Sequence, residues 1–577
     1  MTLKSHPALS NRLPVWRARL VVILFFAGFI SLAARALYCQ SINKEFLQSQ
    51  AEQRSDRRVE LIASRGVIKD RNSQPLAIST SVDSVYAVPS KIDLDQLSEE
   101  KINALTEILK VSKKTLKQKL SQHNRDFVYL KRQMPPNQAK KAVNLGIDGI
   151  SLETEYKRYY PEAEIFAQLI GYTSLDHKGQ EGLERAFQES LSGKSGSRSV
   201  VRDNKGRIVE QTELIREVEN GEDVILSIDK RLQFLAYREL QQAAIEHKAK
   251  SASVVVLNAQ TGEVLALANY PSFNPNNRAT FDFSRTRNKA IVDVYEPGST
   301  LKPITIAAAL DSHAVKEDSV IDIESGFMRI GRRTISDSHP DESLLTVSQI
   351  IKKSSNVGSA KIALSMEPEK FWNVLSGVGF GAPPESQFPG EASGVLRNFV
   401  SWKPIEQATM SYGHGVSVSL LQLARAYTIF ANDGEVAPIS FIKVDGTPAR
   451  GRVISEQTAQ TVLKMLETVT EEGGTGTRAR IAGYRVAGKT GTAHKLVGGK
   501  YSANQYVSSF VGLAPVSDPS VIVAVMIDEP SAGKYYGSEV AAPVFKNVME
   551  GALRILKIPG DSKVLQEAKS SQDRGNG

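Results

Sequence analysis

The sequence predicts an α+β protein whose largest domain is an antiparallel sheet flanked by helices. Two observations predict this class. Apolar, strand-like runs stand at both ends of residues 222–560, and the pattern between them is mostly helical. One uncharged run near the N-terminus adds a single membrane helix, and it precedes an elongated α+β region, residues 40–221.

Length and composition limit the possibilities further. At ~150 residues per domain, 577 residues predict three to four domains. Hydrophobic residues make up 41% and charged residues 23%, as in folded proteins. The single cysteine, Cys39, excludes an intramolecular disulfide and multi-cysteine zinc or iron–sulfur sites. The net charge of +9 suits a membrane, a cell wall or nucleic acid and does not decide among them.

The N-terminal segment predicts a membrane anchor over residues 20–39 after a cytoplasmic tail, residues 1–19. The apolar run from Leu20 to Ala34 is shorter than the roughly 17–25 residues that span a bilayer, but the flanking arginines can snorkel. The tail has basic residues and no acidic one, so it is expected to remain cytoplasmic. The rest is then expected on the outer side of the membrane, which excludes nucleic acid as a partner.

A cleaved signal peptide is the alternative for this segment. Ala34-Arg35-Ala36 has the small-x-small form of a cleavage site. A lipoprotein is disfavoured because the residues before Cys39 are not the small ones required there. No second long apolar run follows, so the anchor is expected to be single-pass.

Residues 40–221 are predicted to form a pedestal without catalytic residues. A polar helical stalk to about residue 58 is followed by an extended segment and turn at 65–72, helices over 102–109, 112–120 and 135–144, and a strand over 127–130.

Residues 222–560 are predicted to form the second domain, and the polar tail 561–577 is expected to be disordered. The predicted elements are a strand over 223–228, a helix over 230–247, a hairpin of strands 253–257 and 263–268, and two strands over 507–513 and 521–527.

The first chemical motif is Ser299-x-x-Lys302. Pro303 is tolerated only in a first helical turn, so the motif stands at the start of an apolar helix. The spacing of three residues places Ser299 and Lys302 on one face of that helix. A serine hydroxyl needs a base, and a lysine whose pKa is lowered by burial can be that base. The spacing alone is uninformative, since it recurs at Ser531 and Lys534.

Two more motifs follow in order. Ser354-Ser355-Asn356 precedes a helical run of small residues, and Lys489-Thr490-Gly491-Thr492 precedes the C-terminal strand pair. Gly491 is expected to let a ligand approach a strand edge, where Lys489 and Thr490 can hold a carboxylate. Each motif is weak alone, but the three together, in this order, are a strong signal.

This triplet resembles that of the penicillin-recognising serine transferases and hydrolases. The anchor, Arg65-Gly66 and the pedestal resemble the class B, monofunctional penicillin-binding proteins, over residues 15–557 in all. Further matching segments are 158–161, 179–184, 203–206 and 296–299.

Within that class the chain is similar to the division-specific, FtsI-type branch. The similarity rests on residues 404–415 and 536–545. Ser73 and Ser538 stand where glycine is usual, outside the triplet, and suggest a diverged or second copy.

The resemblance implies a penicillin-binding D,D-transpeptidase domain that cross-links septal peptidoglycan and is acylated by β-lactams. Ser299 would attack the bond between the terminal D-alanines of a stem peptide, with Lys302 as its base. Ser354 would relay a proton to the leaving amine, and Asn356 would orient Lys302 and the substrate amide.

The resemblance also implies the binding groups. Lys489 and Thr490 would bind the terminal carboxylate, and Gly491 and Thr492 would complete the substrate-binding set. The backbone N–H groups of Ser299 and Thr492 would form the oxyanion hole. No metal or cofactor is implied. The implied partners are stem peptides on nascent glycan strands, β-lactams, and divisome membrane proteins that include an FtsW-type polymerase.

Either cleft lining or ordinary aromatic packing explains Tyr412, Tyr535 and Tyr536.

Three alternatives remain open at this point. An elongation-type transpeptidase would share the chemistry, a β-lactamase or β-lactam sensor would share the triplet, and a catalytically idle divisome scaffold would use the pedestal alone.

Overall fold

A computed structural model describes residues 15–38, 40, 56–202, 208–277, 281–338 and 342–562. Most of the predicted cytoplasmic tail and stalk, Cys39, segment 203–206 and nearly all of the predicted C-terminal tail lie outside the described residues.

The described strands are β1 (Asp56–Leu61), β2 (Ile68–Lys69), β3 (Pro75–Ala87), β4 (Val128–Met134), β5 (Ile150–Tyr159), β6 (Gly196–Arg202), β7 (Ile208–Arg216), β8 (Val224–Ile225), β9 (Ser251–Asn258), β10 (Val264–Tyr270), β11 (Val320–Asp322), β12 (Phe327–Ile330), β13 (Arg333–Ser336), β14 (Leu344–Thr346), β15 (Glu435–Val436), β16 (Gly451–Arg452), β17 (Ala487–Val497), β18 (Lys500–Ala514) and β19 (Val521–Asp528).

The described α-helices span Val15–Leu37, Glu99–Leu109, Lys113–Leu120, Pro136–Val143, Ala167–Ile170, Gly182–Ala186, Gln188–Ser192, Lys230–Glu246, Lys289–Val292, Lys302–Asp311, Val347–Lys353, Asn356–Leu364, Pro368–Gly377, Pro404–Met410, Leu420–Ala426, Thr428–Ala431, Glu456–Thr468, Gly537–Val540 and Ala542–Ile555.

The N-terminal helix Val15–Leu37 is long and apolar enough to cross a membrane. Its 23 residues have a mean hydropathy of 2.4 in the most apolar window. At 1.5 Å per residue the helix is ~34 Å long, about the thickness of a hydrocarbon layer. The helix includes the arginines that flank the uncharged run, so it is longer than that run.

The pedestal contains two sheets and a small helical subdomain. β1, β6 and β7 form an antiparallel sheet. β4, β3, β2 and β8 form a second, mixed sheet, in which β5 also pairs with β3. The helices predicted over 102–109, 112–120 and 135–144 are present, and Ser98 and Ser112 cap the first two as hydrogen-bond acceptors.

The pedestal packs directly on the second domain. The Asp70 carboxylate accepts a hydrogen bond from the backbone N–H of Lys230, and Asn72 Nδ2 donates to Asp229 at 3.1 Å. Gln168 Nε2 donates to the carbonyl of Pro271 at 2.9 Å. Residues on both sides of the boundary thus share one polar interface.

The second domain is built on a five-stranded antiparallel sheet in the order β10-β9-β19-β18-β17. Its strands come from both ends of the domain, as the sequence predicts. Both faces are covered, because alternate β9 residues belong to different cores: Val254 and Val256 pack under helices Lys230–Glu246 and Ala542–Ile555, and Val255 and Leu257 pack against the central helices. Burial on both faces explains the continuous apolar runs of the central strands.

One predicted strand is shorter than expected. Of residues 223–228, only Val224–Ile225 form a strand, and it pairs in parallel with β2 of the pedestal. Leu226 then bridges to Ile442 of the second domain. Val224, Leu226 and Ile228 are buried because the segment crosses between two domains, so its hydrophobicity does not indicate one continuous strand.

β17 forms one of the two edges of the five-stranded sheet and pairs only with β18 among the described strands. It contains Lys489 to Thr492. An edge strand leaves one side open, and this edge borders the cleft described next.

Candidate active site

Ser299 lies in a 3₁₀ turn, Gly298–Leu301, which continues directly into helix Lys302–Asp311. The buried Tyr427 hydroxyl donates to the carbonyl of Thr300 at 2.7 Å and fixes the turn. Gly298 faces Gly413 so closely that a Cβ on Gly413 would lie 2.2 Å from the Gly298 carbonyl oxygen. The half-buried serine is therefore held on a rigid turn at the cleft wall.

Lys302 is the first residue of the helix and is fully buried. Its Nζ donates to Asn356 Oδ1 at 2.8 Å and to Ser354 Oγ at 3.2 Å. Burial lowers the Lys302 pKa to about 7, although the nearby charge of Asp337 acts in the opposite direction. Near neutral pH a large part of this lysine is therefore uncharged, the form that accepts a proton.

Lys489, on β17, approaches the hydroxyl of Ser354 as well. Its Nζ donates to Ser354 Oγ at 2.9 Å and to the carbonyl of Thr490 at 3.2 Å. Burial, and secondly the charge of Lys302, lowers the Lys489 pKa well below its ordinary value. One hydroxyl thus connects two buried lysines that are far apart in sequence.

Ser354 reaches this position because the chain turns sharply between two helices. It ends helix Val347–Lys353 with φ 64°, in the left-handed region. Ser355 then caps helix Asn356–Leu364 by accepting from the Gly358 N–H at 2.9 Å. This left-handed residue ends one helix, and the next starts two residues later with Asn356 facing Lys302.

Asp337, at the end of the hairpin β12–β13, holds the start of that second helix. Its carboxylate accepts hydrogen bonds from Ser355 Oγ at 2.6 Å, from the Asn356 N–H at 2.5 Å and from the Val357 N–H at 3.0 Å. Asn356 Nδ2 donates to the carbonyl of Ser336 in the same hairpin. The hairpin therefore fixes the orientation of the Asn356 side chain.

Gly491 has a packing role in addition to the binding role expected of it. A Cβ at this position would lie 2.4 Å from Ser509 Oγ, 3.0 Å from Thr300 Cγ2 and 3.1 Å from the Pro297 carbonyl. These contacts explain the missing side chain by packing, and the approach of a ligand to this strand edge stays a prediction. The glycine lets β17 pack against the turn that carries Ser299.

The cleft between these elements has a volume of about 540 Å³. It is lined by Ser299, Ser354, Asn356, Thr490 and Thr492, together with Asp337, Thr475, Tyr412, His414, His494, Tyr506, Tyr535 and Tyr536 among others.

The tyrosines of the cleft both line it and pack together. Tyr506 and Tyr535 stack with ring centroids 4.2 Å apart, and Tyr536 lies beside Tyr535. Tyr412, which also lines the cleft, contacts His414 edge to face. The two explanations offered for Tyr412, Tyr535 and Tyr536 are thus both correct.

The structure brings the three sequence motifs into one site. Sequence reasoning missed Asp337, and it missed Thr475, whose hydroxyl lies 3.1 Å from that of Thr490. Thr475 stands in a Gly-Gly-Thr-Gly run, the type of flexible loop in which a polar residue can be brought to a binding site. Asp337 has no such local signal.

Two family profiles match the chain. The profile described as "Penicillin binding protein transpeptidase domain" matches residues 252–550, and "Penicillin-binding Protein dimerisation domain" matches residues 60–226. Together they include the second domain and the pedestal.

Relatives match over nearly the full length. "Probable peptidoglycan D,D-transpeptidase PenA" of Neisseria meningitidis is 44% identical over 541 residues, 93% of this chain and 92% of the relative. "Peptidoglycan D,D-transpeptidase FtsI" of Escherichia coli is 39% identical over 551 residues, 95% of this chain and 93% of the relative.

A solved structure matches the second domain. The apo transpeptidase domain of Burkholderia pseudomallei penicillin-binding protein 3 is 43% identical, with a TM-score of 0.54. The match includes 58% of this chain and 98% of the solved chain.

Proposed function

Because the chain belongs to the class B penicillin-binding proteins and is a peptidoglycan D,D-transpeptidase, we propose that it forms septal cross-links through an acyl-enzyme on Ser299. One observation carries the assignment of the site. Lys302 and Lys489 both bind the hydroxyl of Ser354 in the cleft that Ser299 lines. This arrangement supplies a base, a proton relay and a cationic group within one hydrogen-bonded chain.

Acylation uses the neutral form of Lys302. As Ser299 Oγ bonds to the penultimate D-Ala carbonyl carbon, its proton passes to Lys302 Nζ. The C–N bond to the terminal D-Ala then breaks, and the leaving amine takes a proton relayed from Lys302 through Ser354. The products are a Ser299 ester and free D-alanine.

Binding groups hold the donor during this step. Lys489 and Thr490, with Gly491 and Thr492 in the same strand, hold the terminal carboxylate, and Thr475 adds a hydroxyl beside Thr490. Backbone N–H groups of Ser299 and Thr492 stabilise the developing oxyanion, a contribution of ~3 kcal/mol per donor.

The cross-link forms in the second half-reaction. The amine of a neighbouring stem peptide attacks the ester, the C–O bond to Ser299 breaks, and the serine regains its proton. A β-lactam enters the first half-reaction only, because its amide has the shape of the D-Ala-D-Ala bond and its leaving group stays attached.

The cellular setting forms part of the proposal. The apolar helix Val15–Leu37 supports a single-pass anchor in the inner membrane, with the N-terminus cytoplasmic and the catalytic domain periplasmic. The similarity to FtsI of Escherichia coli and the segment 404–415 support a septal role with divisome partners, among them an FtsW-type polymerase.

Depletion of the protein in its own organism tests this role. Loss of a septal transpeptidase is expected to give filaments, since elongation continues while division stops. Round cells would instead identify an elongation enzyme. Re-expression of the wild type is the control and should restore normal cell length.

We expect the acylation rate to rise with pH and to reach half its plateau near pH 7, where Lys302 loses its proton. His414 in the same cleft does not interfere, because burial and the charge of Lys302 lower its pKa to about 4. The measurement is the second-order rate of fluorescent-penicillin labelling from pH 5.5 to 9. A rate independent of pH would contradict the assignment of Lys302 as the base.

A further inference from the structure

We propose that Asp337 is a positioning residue of the transpeptidation reaction: it fixes Asn356 against Lys302 and supplies a negative charge that is separated from this buried lysine by the Asn356 residue alone. The inference rests on the proposed acyl-enzyme function. It concerns a residue outside the three motifs and outside the chain segments that carry them.

The positioning argument rests on hydrogen bonds. The Asp337 carboxylate accepts from one hydroxyl and two backbone N–H groups at the first turn of helix Asn356–Leu364. A carboxylate at a helix N-terminus is also favoured by the helix dipole. Since Asn356 Oδ1 accepts from Lys302 Nζ at 2.8 Å, any rotation of this turn moves the acceptor of the base.

The charge argument rests on the surroundings of Lys302. Asp337 is linked to Lys302 through Asn356, which donates its N–H to the carboxylate and accepts from Lys302 Nζ. Among the described residues, the charged or titratable groups that interact electrostatically with Lys302 are Asp337, Lys489 and His414. Ser354 and Asn356, its direct partners, are neutral. Asp337 is thus the one anionic member of this set, and its charge favours the protonated form of Lys302.

Asp337→Asn separates the two contributions in the full-length protein in detergent. Asparagine keeps the size of the side chain but removes the charge, so Lys302 becomes a weaker base. We expect the rising limb of the penicillin acylation profile to move roughly half to one pH unit lower. We also expect the plateau rate to fall about tenfold, because one of the three hydrogen bonds now meets an NH₂ group.

Ser355→Ala is the matched control. It removes one hydrogen bond to Asp337 and one cap of the same helix, but leaves the charge in place. It is expected to slow acylation without moving the limb. Asp337→Glu, which also keeps the charge, should likewise leave the limb where the wild type has it.

The outcomes are distinct. An Asp337→Asn protein with the rate and limb of the wild type overturns the proposal, and so does a limb that moves equally in Ser355→Ala. If Asp337→Asn does not fold, Asp337→Ser provides the same test, and failure of both to fold makes Asp337 structural only. If the wild type itself is not labelled at Ser299, the proposed function fails, whatever Asp337 does.

Discussion

Ser299→Ala is expected to abolish covalent labelling of the full-length protein by a fluorescent penicillin, a loss of at least ~10³-fold in acylation rate. The methyl group that replaces the hydroxyl cannot form the ester, although the cleft keeps its shape because Thr300 and Gly298 still fix the turn. Gel fluorescence measures the loss, and mass spectrometry of the labelled wild type locates the adduct.

A second serine with the same spacing to a lysine provides the control. Ser531 precedes Lys534 by three residues, and its hydroxyl donates to the carbonyl of Lys248, away from the residues that line the cleft. Ser531→Ala should therefore label like the wild type. Labelling retained in Ser299→Ala would put the nucleophile elsewhere, and an unlabelled wild type would favour the divisome-scaffold alternative.

The sheet of the second domain was predictable because burial leaves a simple pattern. β9 and β19 are apolar on both faces, so each is a continuous hydrophobic run in the sequence. The full length of β17 was not predictable in this way. Lysine, threonine, glycine and histidine occupy it, since one of its sides faces a polar cleft and the other packs on the Ser299 turn.

The site was predictable where chemistry demands particular residues at short spacing. Ser299 and Lys302 need one helical turn, and Ser354 and Asn356 need one helix start, so both pairs leave local motifs. Asp337 contacts Asn356 across 19 residues from a separate hairpin. A tertiary contact of this kind leaves no spacing pattern in a single sequence.

An ion triad buried in the pedestal also leaves no spacing pattern in the sequence. Glu184 lies between two arginines: Arg65 Nε donates to Oε2 at 2.6 Å, and Arg158 Nε donates to Oε1 at 2.6 Å. The side chains of all three are at most 1% exposed. The sequence marks the segments that contain them as family landmarks, but only the fold explains why a carboxylate is needed between two cations.

Glu184→Gln is expected to destabilise the pedestal by about 3–5 kcal/mol, because it leaves two buried guanidinium groups without a counter-charge and turns an amide N–H towards one of them. The measurement is the unfolding of the full-length protein in denaturant, followed by a probe in the pedestal. Glu219→Gln is the matched control: its pair with Lys194 is exposed on both sides, so solvent replaces it and the transition should stay at the wild-type position. If Glu184→Gln unfolded at the same denaturant concentration as the wild type, water or another group would have to compensate the charge of the arginines, and the triad would not stabilise the pedestal.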